Sequence, residues 1–183
     1  MSNRQYLTCA ETAKLVRAAL KESFPGVKFS VKSSVYSGGA SINIRYTDGP
    51  TYDQVKLVAG MFEGSYFDGM TDYKGSNYGS LDGQEVRFGA DFIFSNREFS
   101  AEFLTTQVAA ACAYYGYAMP QITAPAGYSA YIADRLDYEV NRRIMNQVSE
   151  VSLCASSPSA TLARVGFLGD DGYGYGAVGR LAA

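Results

Sequence analysis

The spacing of apolar positions changes character along the chain, and each change predicts an element. Ala13, Val16, Leu20 and Phe24 recur at three- and four-residue intervals, with Lys14, Arg17 and Lys21 off the stripe. That is the signature of a helix that buries one face. Thr8-Cys9-Ala10-Glu11 has the T-x-x-E form of a helix start, and Pro25-Gly26 stops the run. The period then drops to two. Val27, Phe29 and Val31 alternate with Lys28, Ser30 and Lys32, and Ile42, Ile44 and Tyr46 with Ser41, Asn43 and Arg45. Ser-Gly-Gly within 33–39 joins these strands into an antiparallel hairpin with a somewhat long loop. Lys28, Lys32 and Arg45 then project from one face, away from the core.

Asp48-Gly49-Pro50 reads as a turn, and Thr51-x-x-Gln54 as a second capping box ahead of a short helix carrying Val55, Val58, Ala59 and Phe62. Residues 63–83 have no helical period and are rich in glycine, aromatic and acidic residues. They read as an irregular loop or short strands, with 70–74 the best strand candidate. Val86, Phe88, Ala90, Phe92 and Phe94 alternate as one strand, leaving Arg87 and Asp91 outward. Ser100 caps a third helix over 101–115, ended by Gly116 and Pro120.

The pattern shifts again beyond that point. Residues 120–127 form a Pro/Gly-bearing linker, and 128–155 hold an amphipathic helix. Its stripe is Ile132, Leu136, Val140, Ile144, Val148 and Val151, with Arg135, Arg142 and Arg143 outside it. Such a stripe either folds back on the domain or pairs with a second copy as a homodimer. Residues 156–183 are rich in Gly, Ser and Ala and are expected to be poorly ordered or only locally docked. The expected fold is α+β, ordered α-β-β-α-β-α over residues 1–119. An antiparallel sheet is covered by helices on one face, and a C-terminal amphipathic helix follows.

Composition removes several chemistries. The 183 residues include no histidine, so Ser-His and Cys-His pairs, imidazole bases and His-containing zinc sites are impossible. Cys9, Cys112 and Cys154 are odd in number and widely spaced, which reads as reduced thiols. MSNRQYLTCAETAK has no apolar signal region and no run approaches a membrane span, so a soluble, cytoplasmic protein without membrane contact is expected. The net charge of −2 hides a division. Residues 1–45 carry seven Lys/Arg against Glu11 and Glu22, a surplus of five, and the remainder carries nine against sixteen acids. With 15 Tyr and 10 Phe, the chain has the amphipathic rings of a contact surface.

The runs FPGVKFSV, SGGASI, DGPT, FDGM and GADFIF occur in that order within residues 6–115. In this series the chain resembles the large polyvalent protein-associated domain 29 family. Its members occur in plasmid- and phage-encoded proteins, including giant multidomain proteins carried by mobile elements. The resemblance implies a mobile-element protein acting inside a bacterial cell and, by association, dealing with host defence. It carries no catalytic residue onto this chain.

Candidate chemistry is correspondingly sparse. Asp68, Asp72, Asp82 and Asp91 invite a divalent cation, but their spacing matches no calcium loop, and Asp beside Gly is the ordinary turn pair. SGGAS and GYGYGAVG lack the strand and helix that flank phosphate loops. No metal, cofactor or catalytic residue is expected. The expected interaction surface combines the cationic hairpin face (Lys28, Lys32, Asn43, Arg45), the Tyr/Gly loop (Tyr66, Tyr73, Tyr78) and the helix arginines (Arg142, Arg143). Its expected partner is a host defence protein or ribonucleoprotein complex, bound and blocked sterically in the anti-CRISPR or antirestriction manner. A nucleic-acid-binding accessory module and an assembly protein are the alternatives.

Overall fold

Helix α1 (Cys9–Ser23) follows the two-residue strand β1 (Gln5–Tyr6) and starts where the capping box places it, in a computed structural model that describes residues 4–122, 132–133 and 138–173. Thr8 Oγ1 accepts the Glu11 N–H at 3.2 Å, and Glu11 Oε2 accepts the Thr8 N–H at 2.8 Å, satisfying two donors that a helix start otherwise leaves open. The predicted stripe is the buried face. Val16, Leu20 and Phe24 lie fully buried among Ile42, Ile44, Val55 and Phe62.

The hairpin is tighter than its sequence suggests. Strands β2 (Ser30–Tyr36) and β3 (Gly39–Thr47) pair antiparallel around the two-residue turn Ser37–Gly38, where Gly38 takes φ +91°. Helix α2 (Tyr52–Ala59) follows, its box closed by Thr51 and Gln54, and continues into a 3-10 turn, Gly60–Phe62.

Residues 63–98 are where the structure departs most from the pattern. They form β4 (Ser65–Asp68), β5 (Tyr73–Leu81), β6 (Gln84–Arg87) and β7 (Phe92–Glu98). The strand expected at 70–74 is displaced: Met70 is exposed, Asp72 turns the chain at φ +51°, and the strand begins at Tyr73. Glycines that resemble loop residues in sequence sit inside β5, because rings occupy their missing side chains. A Cβ on Gly75 would run into the Tyr66 ring, and one on Gly79 would lie 2.8 Å from Phe88, a recognised use of strand glycine. Asp82-Gly83, both at positive φ, make the two-residue turn between β5 and β6.

The single strand expected over 86–94 is also corrected. Val86 belongs to β6 in one sheet and Phe92 to β7 in another, and the chain crosses between them at Phe88–Asp91. Gly89 makes the crossing: a Cβ there would collide with the Leu7 carbonyl and lie 2.6 Å from the Cys9 nitrogen, and its N–H donates to Thr12 Oγ1 at 3.0 Å. The crossing also reverses the phase. Ile93 packs on the core, whereas Phe92 and Phe94 turn to the other side.

The result is two principal sheets. In one, the order is β2-β3-β7, with β7 parallel to β3, so the sheet is mixed; α1 packs on β2 and β3, and α2 on β7. The other runs β1-β6-β5 and then a last strand, β10 (Val165–Asp170), with β4 on the first half of β5. Strand β10 pairs antiparallel with β5, so residues 156–173 are docked rather than loose. Before β10, the Ser159 hydroxyl and the Thr161 N–H and hydroxyl all donate to the Glu22 carboxylate. The remainder of the expected tail, 174–183, lies outside the described residues.

A second core joins α3 (Ala101–Tyr115) to α4 (Tyr138–Ser149). Ser100 caps α3 and Gly116, at φ +73°, closes it. The helix expected from 128 is shorter. Ile132 belongs to β9 (Ile132–Ala133), which pairs with β8 (Gln121–Ile122), and 128–131 and 134–137, with most of the expected linker (123–127), lie outside the described residues. In the part that is helical, Ile144 and Val148 are fully buried in the cluster that holds Leu104 and Val108. The part of the stripe that lies in and after α4 is therefore packed within the chain. Among the described residues no helix is long and apolar enough to cross a membrane.

Candidate functional site

The β2-β3-β7 sheet has one face under α1 and α2, and residues of the opposite face stand in cross-strand rows. Ser34, Ser41 and Phe92 form one row; Lys32, Asn43 and Phe94 the next; Ser30, Arg45 and Asn96 the third. Residues paired across strands share a face, and alternation sends their neighbours inward. Val31, Ile42, Ile44 and Tyr46 accordingly fill the core beneath.

Lys32, Asn43 and Arg45 are exposed in this face, as expected, and Lys28 is exposed just ahead of β2. What the pattern did not disclose is the aromatic component. Phe94 is 55% exposed beside Asn43, and the Phe92 and Phe94 ring centroids lie 6.4 Å apart. None of the nine residues in the three rows is acidic. Glu98 stands one row further, opposite Thr47. At the other rim Asp91 accepts the Ala40 N–H at 3.0 Å and the Ser65 hydroxyl at 2.9 Å and pairs with Lys74 Nζ at 2.8 Å. Burial pushes the Asp91 carboxyl up, but the bonds from Lys74, Ala40 and Ser65 outweigh it and hold the group below its ordinary range. Lys74 Nζ also lies 5.8 Å from the Phe92 ring centroid, so cation and ring adjoin at that edge.

The tyrosines expected in an adaptable loop do other work. Tyr66 is buried, and its hydroxyl donates to Asp171 Oδ1 at 2.6 Å; the Tyr73 hydroxyl donates to Asp171 Oδ2 at 3.1 Å. With the Ser76 N–H at 2.7 Å they hold the end of the β10 segment. Tyr66 is thus corrected from contact residue to anchor. Its ring fills the space above Gly75, which leaves no surface to present. Desolvation raises the Asp171 carboxyl, yet these bonds together bring it below the usual range. Tyr78 is half-buried, with the Arg4 guanidinium 4.4 Å above its ring. Arg142 and Arg143 lie exposed on α4, and Arg142 pairs with Glu139 at 2.7 Å.

The acids considered for a cation are used separately. Asp68 Oδ1 accepts the Met70 N–H, Asp72 and Asp82 occupy left-handed turn positions, and Asp82 binds Arg164 through both oxygens. Among the described residues no three or more His, Cys, Asp or Glu gather as a metal site would need. Burial raises the Cys9, Cys112 and Cys154 thiols, the reverse of an activated nucleophile.

Arg97 escaped sequence reasoning. It is 3% exposed and donates to four backbone carbonyls: Nε to Asp48 at 2.8 Å, Nη1 to Ser149 at 2.9 Å, and Nη2 to Gly49 at 3.3 Å and Val151 at 2.7 Å. Its guanidinium also lies against the stacked Phe99 and Phe103 rings. The only signal available was the strand phase, since Arg97 sits four residues after inward Ile93. A cleft of about 280 Å³ beside it is lined by Tyr52, Asp53, Met145 and Glu150, but the guanidinium's bonds run to these carbonyls.

The model of the large polyvalent protein associated domain 29 family matches residues 7–100. No curated protein and no solved structure matches the chain.

Proposed function

Since the chain belongs to the large polyvalent protein associated domain 29 family, and is in that sense a mobile-element-associated protein, we propose that it is a non-enzymatic binding protein that blocks a host defence complex in the bacterial cytosol. The observation that carries the binding reading is the exposed part of the β2-β3-β7 face. It places Lys32, Arg45, Asn43 and exposed Phe94 on a rigid sheet without an acid among them. Such a face, seated on a packed core, presents charge and rings at fixed spacing. Blocking by occupation needs no bond-breaking group, which suits a chain without histidine whose cysteines are held as thiols.

Phage plating on cells that carry a restriction or CRISPR system tests the reading. The wild-type protein should raise plating efficiency on defended cells and leave undefended cells unchanged. The doubly reversed variant Lys32→Glu/Arg45→Glu should lose that protection while accumulating normally. Absence of protection against both kinds of defence overturns the defence assignment, and full protection by the double variant moves the contact surface elsewhere.

A further inference from the structure

We infer that the occupant of the exposed part of the β2-β3-β7 face is a single-stranded nucleic acid, with bases on exposed Phe94 and half-buried Phe92 and phosphates on Lys32 and Arg45. The inference rests on reading this face as the contact surface, but not on the target belonging to host defence.

Three features favour this occupant. First, chemistry is sorted across the sheet. The cations lie on β2 and β3, the rings on β7, and the Asn43 and Asn96 amides beside the rings. A strand laid along β7 sets its bases over the aromatics, while its backbone faces the cationic side. Neighbouring strands are roughly 5 Å apart, so the row from Phe94 through Asn43 to Lys32 spans a nucleotide's width. Second, the ring centroids are 6.4 Å apart and tilted by 37°. Successive nucleotides of a duplex strand advance about 3.4 Å, so bases seated on both rings must be unstacked. A duplex cannot offer that, whereas a single strand does so readily. Third, a protein partner would favour an apolar centre from which lysine is depleted. Here Lys32 shares the central row with Phe94, and apart from Phe92 and Arg45 the other residues of the three rows are serine and asparagine.

The test is fluorescence anisotropy with the full chain, using a labelled oligothymidylate and oligouridylate of about 16 nucleotides, the upper range of a single-strand site, and a duplex of equal length. The single strands should bind and the duplex more weakly; whichever single strand binds better assigns DNA or RNA. With two or three phosphates engaged, raising salt from about 50 to 200 mM should weaken binding about 7- to 18-fold. Lys32→Glu/Arg45→Glu should weaken binding and flatten that dependence. Phe94→Leu should cost roughly 5- to 150-fold, and Phe94→Tyr should restore binding, which separates stacking from bulk apolar contact. All these positions are exposed, and unchanged circular-dichroism melting confirms intact variants. No binding at about 0.1 mM protein, tighter duplex binding, or equal binding by Phe94→Leu and Phe94→Tyr would each overturn the inference. A protein that protects in the plating assay yet binds no oligonucleotide fails here alone. One that binds oligonucleotides yet protects against nothing fails only the defence reading.

Discussion

Substituting methionine for Arg97 keeps much of the aliphatic stem and removes every donor from a site where four backbone carbonyls converge. Two effects oppose each other. Burial lowers the Arg97 pKa, a sign that the charge is costly to desolvate, so its removal returns some stability. The carbonyls of Asp48, Gly49, Ser149 and Val151 cannot be exchanged for apolar groups, however, and a buried acceptor left unpaired costs about 1–3 kcal/mol. Ser149 is exposed and can recruit water, which discounts its share. The loss of the remaining three bonds dominates, and a net cost of about 3–5 kcal/mol follows from the carbonyls left unpaired. In a chain of this length that corresponds to a Tm lowered by roughly 6–20 °C. The damage should also be local. Arg97 ties β7 to the turn at Asp48-Gly49 and to the end of α4, so amides at 150–153 should lose hydrogen-exchange protection before the sheets do. Arg97→Lys retains the charge but not the planar fork and should recover less than half of the loss. Calorimetry and exchange measured together check this. A methionine variant that melts within about 2 °C of wild type, with protection after α4 unchanged, refutes the keystone role.

Acid should release the C-terminal strand before the rest of the fold. Glu22, Asp82 and Asp171 all lie below their ordinary values, held by Thr161 and Ser159, by Arg164, and by Tyr66, Ser76 and Tyr73 against burial, respectively. Groups with depressed values stabilise the fold above the unfolded range, about 3.9 for Asp and 4.3 for Glu, and lose that contribution as pH falls through the folded values. Amides of β10 should therefore open first on acidification, and Asp171→Asn should show weakened protection at neutral pH; β10 opening only with the whole molecule would contradict this. Gly89→Ala should lower stability by about 1–3 kcal/mol, because the methyl collides with backbone at the start of α1 and neither side can yield, and an unchanged melt would remove the crossing argument. Thr8→Ala should cost about 1 kcal/mol through the lost cap, read as a fall in denaturation midpoint without a change in slope.

Local rules made α1, α2 and α3 legible to within a residue or two, because caps such as Thr8 with Glu11 act between near neighbours. The β2-β3 hairpin was legible for a similar reason, and with it half of the candidate site: Lys32, Asn43 and Arg45 followed from alternation alone. The other half did not. Phe92 and Phe94 continue the apolar phase of Val86 and Phe88 in sequence and by that pattern belong to the core. The break at Gly89 that turns them outward depends on how closely α1 approaches.

Residue identity and spacing are enough to settle the short-range elements, the cationic side of the first hairpin and the impossibility of imidazole chemistry. Long-range packing selects which sheet each half of 84–98 joins, brings Tyr66 and Tyr73 onto Asp171 of the β10 segment, and makes Arg97 a buried crosslink. These facts depend on contacts between residues up to 105 positions apart. No periodicity records such contacts, because they are selected by which surfaces remain to be covered once the local elements have formed.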